Sequence, residues 1–419
     1  MHRKEVFSNG LTLLTEEMPN LRSVSLGVWL KQGSRHESAD ENGVSHFIEH
    51  LLFKGTERRT AAEIAKTIDA IGGQCDAFTS KEYTCFYARV LDQHLPLAVD
   101  LLSDIVLHPR FDPQNIEKER KVIFEEIKMV EDSPDELVYD LFTETFWKEH
   151  PLGRPIQGTV ESVSALGQDR LMRFFREAYN PDRVVIAAAG NLSHEPFVGE
   201  VREAFGKMPS NGSARPIAPP RAHAGIVTRE KKDLEQLHVC LGVEAYEQGH
   251  RDRYAGYVMN TMLGGTMSSR LFQRIREERG LAYTVFSSIN SFQDTGYMMV
   301  YAATRPGGGQ EVLDRVCEEL ARLKEVPIEQ AELDAAKDHL KGSLMLSLES
   351  SSSRMSNLAR QDIYYGRQYS LDEIVTGIDQ VQREDVQRLA RTMLVSSRCT
   401  VAVLGNLQKL NLSPERIGF

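Results

Sequence analysis

Short runs in which apolar and polar residues alternate, such as Tyr83-Thr-Cys-Phe-Tyr-Ala-Arg-Val90, are interleaved along the chain with longer stretches whose apolar residues recur at helical spacing. A period of two lines one face of a half-buried strand, and a period near 3.6 lines one face of a helix. The interleaving predicts an α+β architecture, a mostly antiparallel sheet flanked by helices. Almost at the midpoint the pattern is broken by Pro209-Ser-Asn-Gly-Ser-Ala-Arg-Pro-Ile-Ala-Pro-Pro220, whose composition suits a linker.

The two halves echo each other. Val184-Val-Ile-Ala-Ala-Ala-Gly-Asn-Leu192 near the end of the first matches Thr400-Val-Ala-Val-Leu-Gly-Asn-Leu407 at the end of the second. Val24-Ser-Leu-Gly-Val-Trp-Leu30 has a counterpart in His238-Val-Cys-Leu-Gly-Val243, and the interval from Gly27 to Gly242 equals that from Gly190 to Gly405. One long period suggests a duplicated domain rather than a solenoid. The expected organisation is two homologous α/β sandwich domains, 1–208 and 225–419, joined by a linker over 209–224.

A chain of 419 residues is long enough for two cores, and with 41% hydrophobic and 26% charged residues it reads as globular, without a run long enough for a membrane helix. Its start, Met1-His-Arg-Lys-Glu-Val-Phe7, reads as strand sequence and lacks the apolar core of a secretory signal. Five cysteines without a C-x-x-C spacing fit buried reduced thiols, so a reducing cytoplasm is expected. The net charge of −10, with no basic-aromatic stripe, argues against a nucleic-acid surface.

Candidate chemistry lies in Gly43-Val-Ser-His-Phe-Ile-Glu-His-Leu-Leu-Phe-Lys54. At about 100° per residue, with Val44 at about 0°, the apolar Phe47, Ile48, Leu51 and Leu52 fall between about 300° and 80°. Glu49, His46 and His50 fall at about 140°, 200° and 240°, on the opposite face. Imidazoles at i and i+4 can meet one cation, and a carboxylate beside them can reach a water bound to it, which is the logic of the H-x-x-E-H order. The alternative is a solvated polar face that happens to carry two histidines.

A catalytic zinc usually takes three protein ligands, so a third must come from elsewhere. Asp112-Pro-Gln-Asn begins a helix with an N-cap and a proline in the first turn. On its wheel Glu119 and Glu126 border the apolar stripe of Ile116, Ile123, Ile127 and Val130, while Glu125 points away. Either acid would gain from a cation. Amphipathic-helix acids lying at the edge of the core are the competing explanation.

His46-Phe-Ile-Glu-His50, together with Glu119-Arg-Lys-Val-Ile-Phe-Glu-Glu126 at the characteristic separation, resembles the pitrilysin-type inverzincins, in the branch of the mitochondrial and bacterial processing peptidases. The resemblance covers essentially the whole chain. It implies one zinc per chain held by His46, His50 and Glu126, with Glu49 as general base and Glu119 behind the ligands, steadying the site. It implies a bacterial metalloendopeptidase acting on peptides or unfolded polypeptides, shaped as half of a clamshell and working as a homodimer.

Two further segments resemble that family. In Ser269-Arg-Leu-Phe-Gln-Arg-Ile-Arg-Glu-Glu-Arg-Gly-Leu-Ala-Tyr283, Arg276 and Tyr283 resemble a pair that contacts substrate. Ala77, Phe78 and Thr79 resemble an edge strand to which an extended peptide adds. Relatives carry Asn where this chain has Asp76, which when ionised cannot donate to a substrate carbonyl. In the second half, Met259 and Asn260 stand opposite Glu49 and His50, so that copy is degenerate. The resemblance also admits a non-catalytic scaffold, as in related subunits of respiratory complexes, and metal-dependent hydrolysis of a non-peptide bond is a further alternative.

Overall fold

The alternating runs form strands that assemble into two sheets. In the computed structural model, which describes residues 2–210, 217–408, 410–413 and 416–419, the first sheet contains β1 (His2–Val6), β2 (Thr12–Glu17), β3 (Ser23–Leu30), β4 (Gln74–Thr79), β5 (Thr84–Leu91) and β6 (Val184–Gly190). The second contains β7 (Gly225–Glu230), β8 (Leu237–Ala245), β9 (Ala282–Ser291), β10 (Gly296–Thr304) and β11 (Thr400–Gly405). Part of the expected linker, residues 211–216, lies outside the described residues.

The sheet orders are β1-β2-β6-β3-β5-β4 and β7-β11-β8-β10-β9. Each has one parallel pair, β2 with β6 and β7 with β11, and is otherwise antiparallel. Leaving β1 aside, the sheets share one topology, with β3 equivalent to β8 and the edge strand β4 equivalent to β9. The duplicated α+β fold inferred from the spacing of the glycines is therefore the observed one.

The chain divides into two compact units, and neither is a continuous stretch. One comprises Met1–Lys128, Arg154–Ile217 and Ser347–Gln368; the other comprises Met129–Gly153, Ala218–Leu346 and Tyr369–Phe419. In the first, alternate residues of the central strands point to opposite faces of the sheet, as the pleat requires. Val184, Ile186 and Ala188 of β6 join a core with the helices Val44–Leu52, Leu95–Leu107, Gln168–Ala178 and His194–Phe205. Val185, Ala187 and Ala189 face the other way, onto Met355, Leu358 and Ala359 of the helix Ser351–Tyr365. That helix, from late in the sequence, completes the first sandwich, and Trp29 donates its indole N–H to the Met355 sulfur at 3.2 Å.

The second unit repeats the plan with the loan reversed. Its main core lies between the sheet and the helices Arg253–Gly264, Gly309–Glu325 and Arg383–Met393. The opposite face is covered by Pro134–Phe146, a helix from the first half of the sequence, through Val138, Phe142 and Phe146. The five cysteines form no disulfide, and only Cys75 is more than slightly exposed. No helix among the described residues is long and apolar enough to cross a membrane.

Candidate metal centre

The helix Val44–Leu52 buries Val44, Phe47, Ile48, Leu51 and Leu52 completely, as the sequence pattern requires, and leaves His46, Glu49 and His50 half-buried on its other side. It packs beside β4, the last strand of its sheet. The second helix, Pro113–Asp132, starts as expected, with Asp112 Oδ1 accepting the Gln114 N–H at 2.8 Å. It brings Glu126 to the histidines: Glu126 Oε2 lies 3.6 Å from His46 Nε2 and 3.5 Å from His50 Nε2, and the two Nε2 atoms are 3.3 Å apart.

These three donors form a nearly equilateral triangle. Zinc–ligand bonds of about 2.1 Å at tetrahedral angles place neighbouring donors about 3.4 Å apart, so the set fits a zinc ion with a fourth position left over. The electrostatics agree. Burial, and then the neighbouring His50, push the His46 imidazole down to about 4, so near pH 7 it is neutral and offers a lone pair. Nδ1 of His50 faces Glu119 Oε2 at 3.2 Å; donation of that N–H leaves the His50 Nε2 lone pair pointing into the triangle. Among the described residues, this is the group of His, Cys, Asp and Glu side chains that converges closely enough to hold a metal ion.

The neighbouring acids divide as the helical wheel anticipates. The Glu119 side chain is 7% exposed, and its Oε1 lies 3.0 Å from Lys54 Nζ. Glu125 is 69% exposed and pairs with Lys128 across one turn. Glu49 accepts a hydrogen bond on Oε2 from the Thr79 hydroxyl. Burial raises its carboxyl above the usual range, with Asp76 and Glu126 adding to the rise and Thr79 and His50 opposing it.

Ala77, Phe78 and Thr79 lie on β4, which pairs with β5 on one side only, in the register Ala77 with Phe86, Phe78 with Cys85 and Thr79 with Thr84. Asp76 accepts the Ala77 N–H at 2.8 Å. Arg276 and Tyr283 belong to the second unit and are brought together there. Arg276 lies on a π-helical turn, Phe272–Glu277, with its guanidinium 4.6 Å from the Phe272 ring centre and 4.8 Å from that of the 74% exposed Tyr283. Met259 is wholly buried in the second core. Sequence reasoning did not find Lys54 or the bond from Thr79 to Glu49. Lys54, one turn after His50, could have been found by extending the helical wheel; the Thr79 contact joins separate elements.

Residues 12–160 match the family described as insulinase (peptidase family M16), and residues 165–340 match its inactive domain. The uncharacterized zinc protease YmxG of Bacillus subtilis is 44% identical over 94% of this chain and 96% of its own length. This chain belongs to peptidase family M16. The uncharacterized zinc protease ML0855 of Mycobacterium leprae is also 44% identical, over 97% of this chain and 92% of its own. Among solved structures, a protease from Helicobacter pylori matches with a TM-score of 0.90 at 23% identity, covering 97% of this chain and 99% of that one. A chain of complex III2 from Candida albicans matches with a TM-score of 0.87 at 21% identity over 100% of both chains. The last two likenesses concern the fold. The pitrilysin-type resemblance is thus the family to which the chain belongs, and Met259 and Asn260 fall within the region matching the inactive domain.

Proposed function

We propose that this chain is a zinc metalloendopeptidase that hydrolyses peptide bonds in peptides and extended or unfolded polypeptides, in the manner of processing peptidases. The observation that carries the reading is the triangle of His46, His50 and Glu126 with Glu49 on the same helix. A zinc bound there would act as a Lewis acid toward water and the scissile carbonyl. Glu49 is the general base: Thr79 holds its Oε2 and leaves Oε1 to accept the water's proton and pass it to the leaving amine. Burial makes the carboxylate more basic, which suits proton abstraction. Glu119 fixes the tautomer and ring orientation of His50, and Lys54 holds Glu119. The open edge of β4 offers main-chain groups to an extended substrate, and Arg276 and Tyr283 supply donors for its carbonyls.

Zinc as the metal is supported by the names of the curated relatives, and a bacterial source by their organisms. The free cysteines fit a cytoplasmic location. The purified protein is expected to carry about one zinc per chain and to lose peptide cleavage on chelation, recovering it when zinc is restored. Glu49→Gln is expected to keep the metal and lose turnover by about 10²–10⁴-fold. Undiminished cleavage by this variant would remove Glu49 from the mechanism. The rival is a non-catalytic subunit of the same fold, for which zinc-loaded protein would cleave nothing in a random peptide library.

A further inference from the structure

Glu37 lies outside the metal triangle and is 2% exposed. Its Oε2 accepts the Gly43 N–H at 2.8 Å and the Asn42 side-chain N–H at 3.2 Å, and its Oε1 accepts the Ser45 N–H at 2.9 Å. Gly43 and Ser45 begin the helix that carries His46, Glu49 and His50, where free N–H groups and the positive end of the helix dipole favour an anion. Gly43 has φ +92°, and a Cβ there would lie 2.6 Å from the Gln157 carbonyl oxygen, so the neighbouring backbone already encloses this helix start.

The backbone just before Glu37 is tied elsewhere. Ser34 and Arg35 donate their N–H groups to the carbonyls of Ser80 and Lys81 at 3.1 and 2.7 Å, in the turn between β4 and β5. Arg35 pairs with Glu82 of the same turn at 2.6 Å, both side chains being 5% exposed. That turn directly follows Thr79, whose hydroxyl reaches Glu49. Glu37 therefore stands between the two parts that must be in register, the helix with the histidines and base and the strand proposed to hold substrate.

We infer that Glu37 is a positioning residue, a strut that fixes the start of the metal-bearing helix against the β4–β5 hairpin and so sets the histidines and Glu49 relative to Glu126 and the edge strand. The inference rests on the zinc peptidase reading. Burial pushes the Glu37 carboxyl up to about 7, and the N–H donors, which the ionised form accepts in full, pull the other way. Arg154, donating to the Glu37 carbonyl at 3.3 Å, is the nearby cation.

Glu37→Gln keeps the length but turns an N–H₂ toward donors, and Glu37→Asp keeps the charge but falls one methylene short. The control is Val201→Ala, a core truncation in the helix His194–Phe205 of the same unit. Zinc affinity is read by chelator competition, ligand geometry by the visible absorption of cobalt-substituted protein, and kcat and KM on a peptide. Both Glu37 variants are expected to bind zinc about 10–100-fold more weakly, with an altered cobalt spectrum and a fall mainly in kcat. Val201→Ala should lower the melting temperature and leave the spectrum unchanged. Folded Glu37 variants with wild-type zinc affinity and cobalt spectrum would overturn the inference alone. Failure of both variants to fold while the control folds would also overturn it, by making Glu37 a residue of folding. Wild-type protein that binds no zinc would bring down the peptidase reading first, and this inference with it.

Discussion

Along two turns of the helix Pro113–Asp132, three glutamates meet different surroundings, and the chemistry expected of each follows from them. Glu126 reaches both histidines through one oxygen; Glu119 is buried between His50 and Lys54; Glu125 faces solvent beside Lys128. Glu126→Gln is expected to weaken zinc binding most strongly, because an amide replaces an anionic donor. Glu119→Gln should cost about 10–100-fold in affinity or activity, since it disturbs the partner that orients His50. Glu125→Gln should be nearly silent. Zinc titration of the three variants checks the order, and loss of metal from Glu125→Gln would contradict the geometry. Much of this was legible in the sequence, because helical spacing fixes direction and the direction of Glu126 and Glu125 differs by about 100°. The bond from Thr79 to Glu49 and the three bonds to Glu37 were not legible, because they depend on how separate elements come together and follow no period within one of them.

At the scale of elements, Gly27 and Gly242 reveal more than the repeat they mark. They occupy equivalent strands, β3 and β8, on the faces covered by the helices taken from the other half of the sequence. A Cβ on Gly27 would lie 2.6 Å from both the Met355 sulfur and the Trp29 indole nitrogen, and one on Gly242 would lie 2.4 Å from the Phe142 ring. Each glycine thus opens the space into which the borrowed helix packs. A buried aromatic ring stands beside each glycine. Beside Gly27, Met355 is a flexible thioether but Trp29 is a large buried ring that donates to its sulfur; beside Gly242, Phe142 is a wholly buried ring stacked on Phe146 at 5.3 Å and against Tyr297. Gly242→Ala and Gly27→Ala should therefore each destabilise the protein by about 1–3 kcal/mol through overpacking. Urea unfolding of the two variants is the measurement, and wild-type stability in either would show that the ring beside that glycine yields more readily than its packing implies. The sequence carried the period that predicts two like sheets but not the exchange of helices. An amphipathic helix announces that it has an apolar face; it does not say which sheet that face will cover.

At the scale of the whole molecule, the metal triangle belongs to one unit, and Arg276 with Tyr283 belongs to the other, whose own copy of the metal positions holds Met259 and Asn260. The family resemblance implies that one chain makes half of a clamshell, which a second copy would complete. We therefore propose that two chains associate, and that Arg276 and Tyr283 of one complete the metal site of the other. The outward setting of Tyr283, stacked on a guanidinium rather than buried in its own core, suits a residue that serves a neighbouring site. Chains carrying Glu49→Gln can be mixed with chains carrying Arg276→Ala and Tyr283→Phe under conditions of subunit exchange. Every homodimer in that mixture is defective. With shared sites, a mixed dimer pairs an intact Glu49 with an intact Arg276 and Tyr283 at one of its two sites, so equal mixing should restore about a quarter of wild-type activity. If each chain instead serves its own site, both chains of a mixed dimer remain defective and nothing is recovered. Demonstrated exchange without recovery would therefore reject the shared site, and a fully active monomer would reject the dimer requirement altogether.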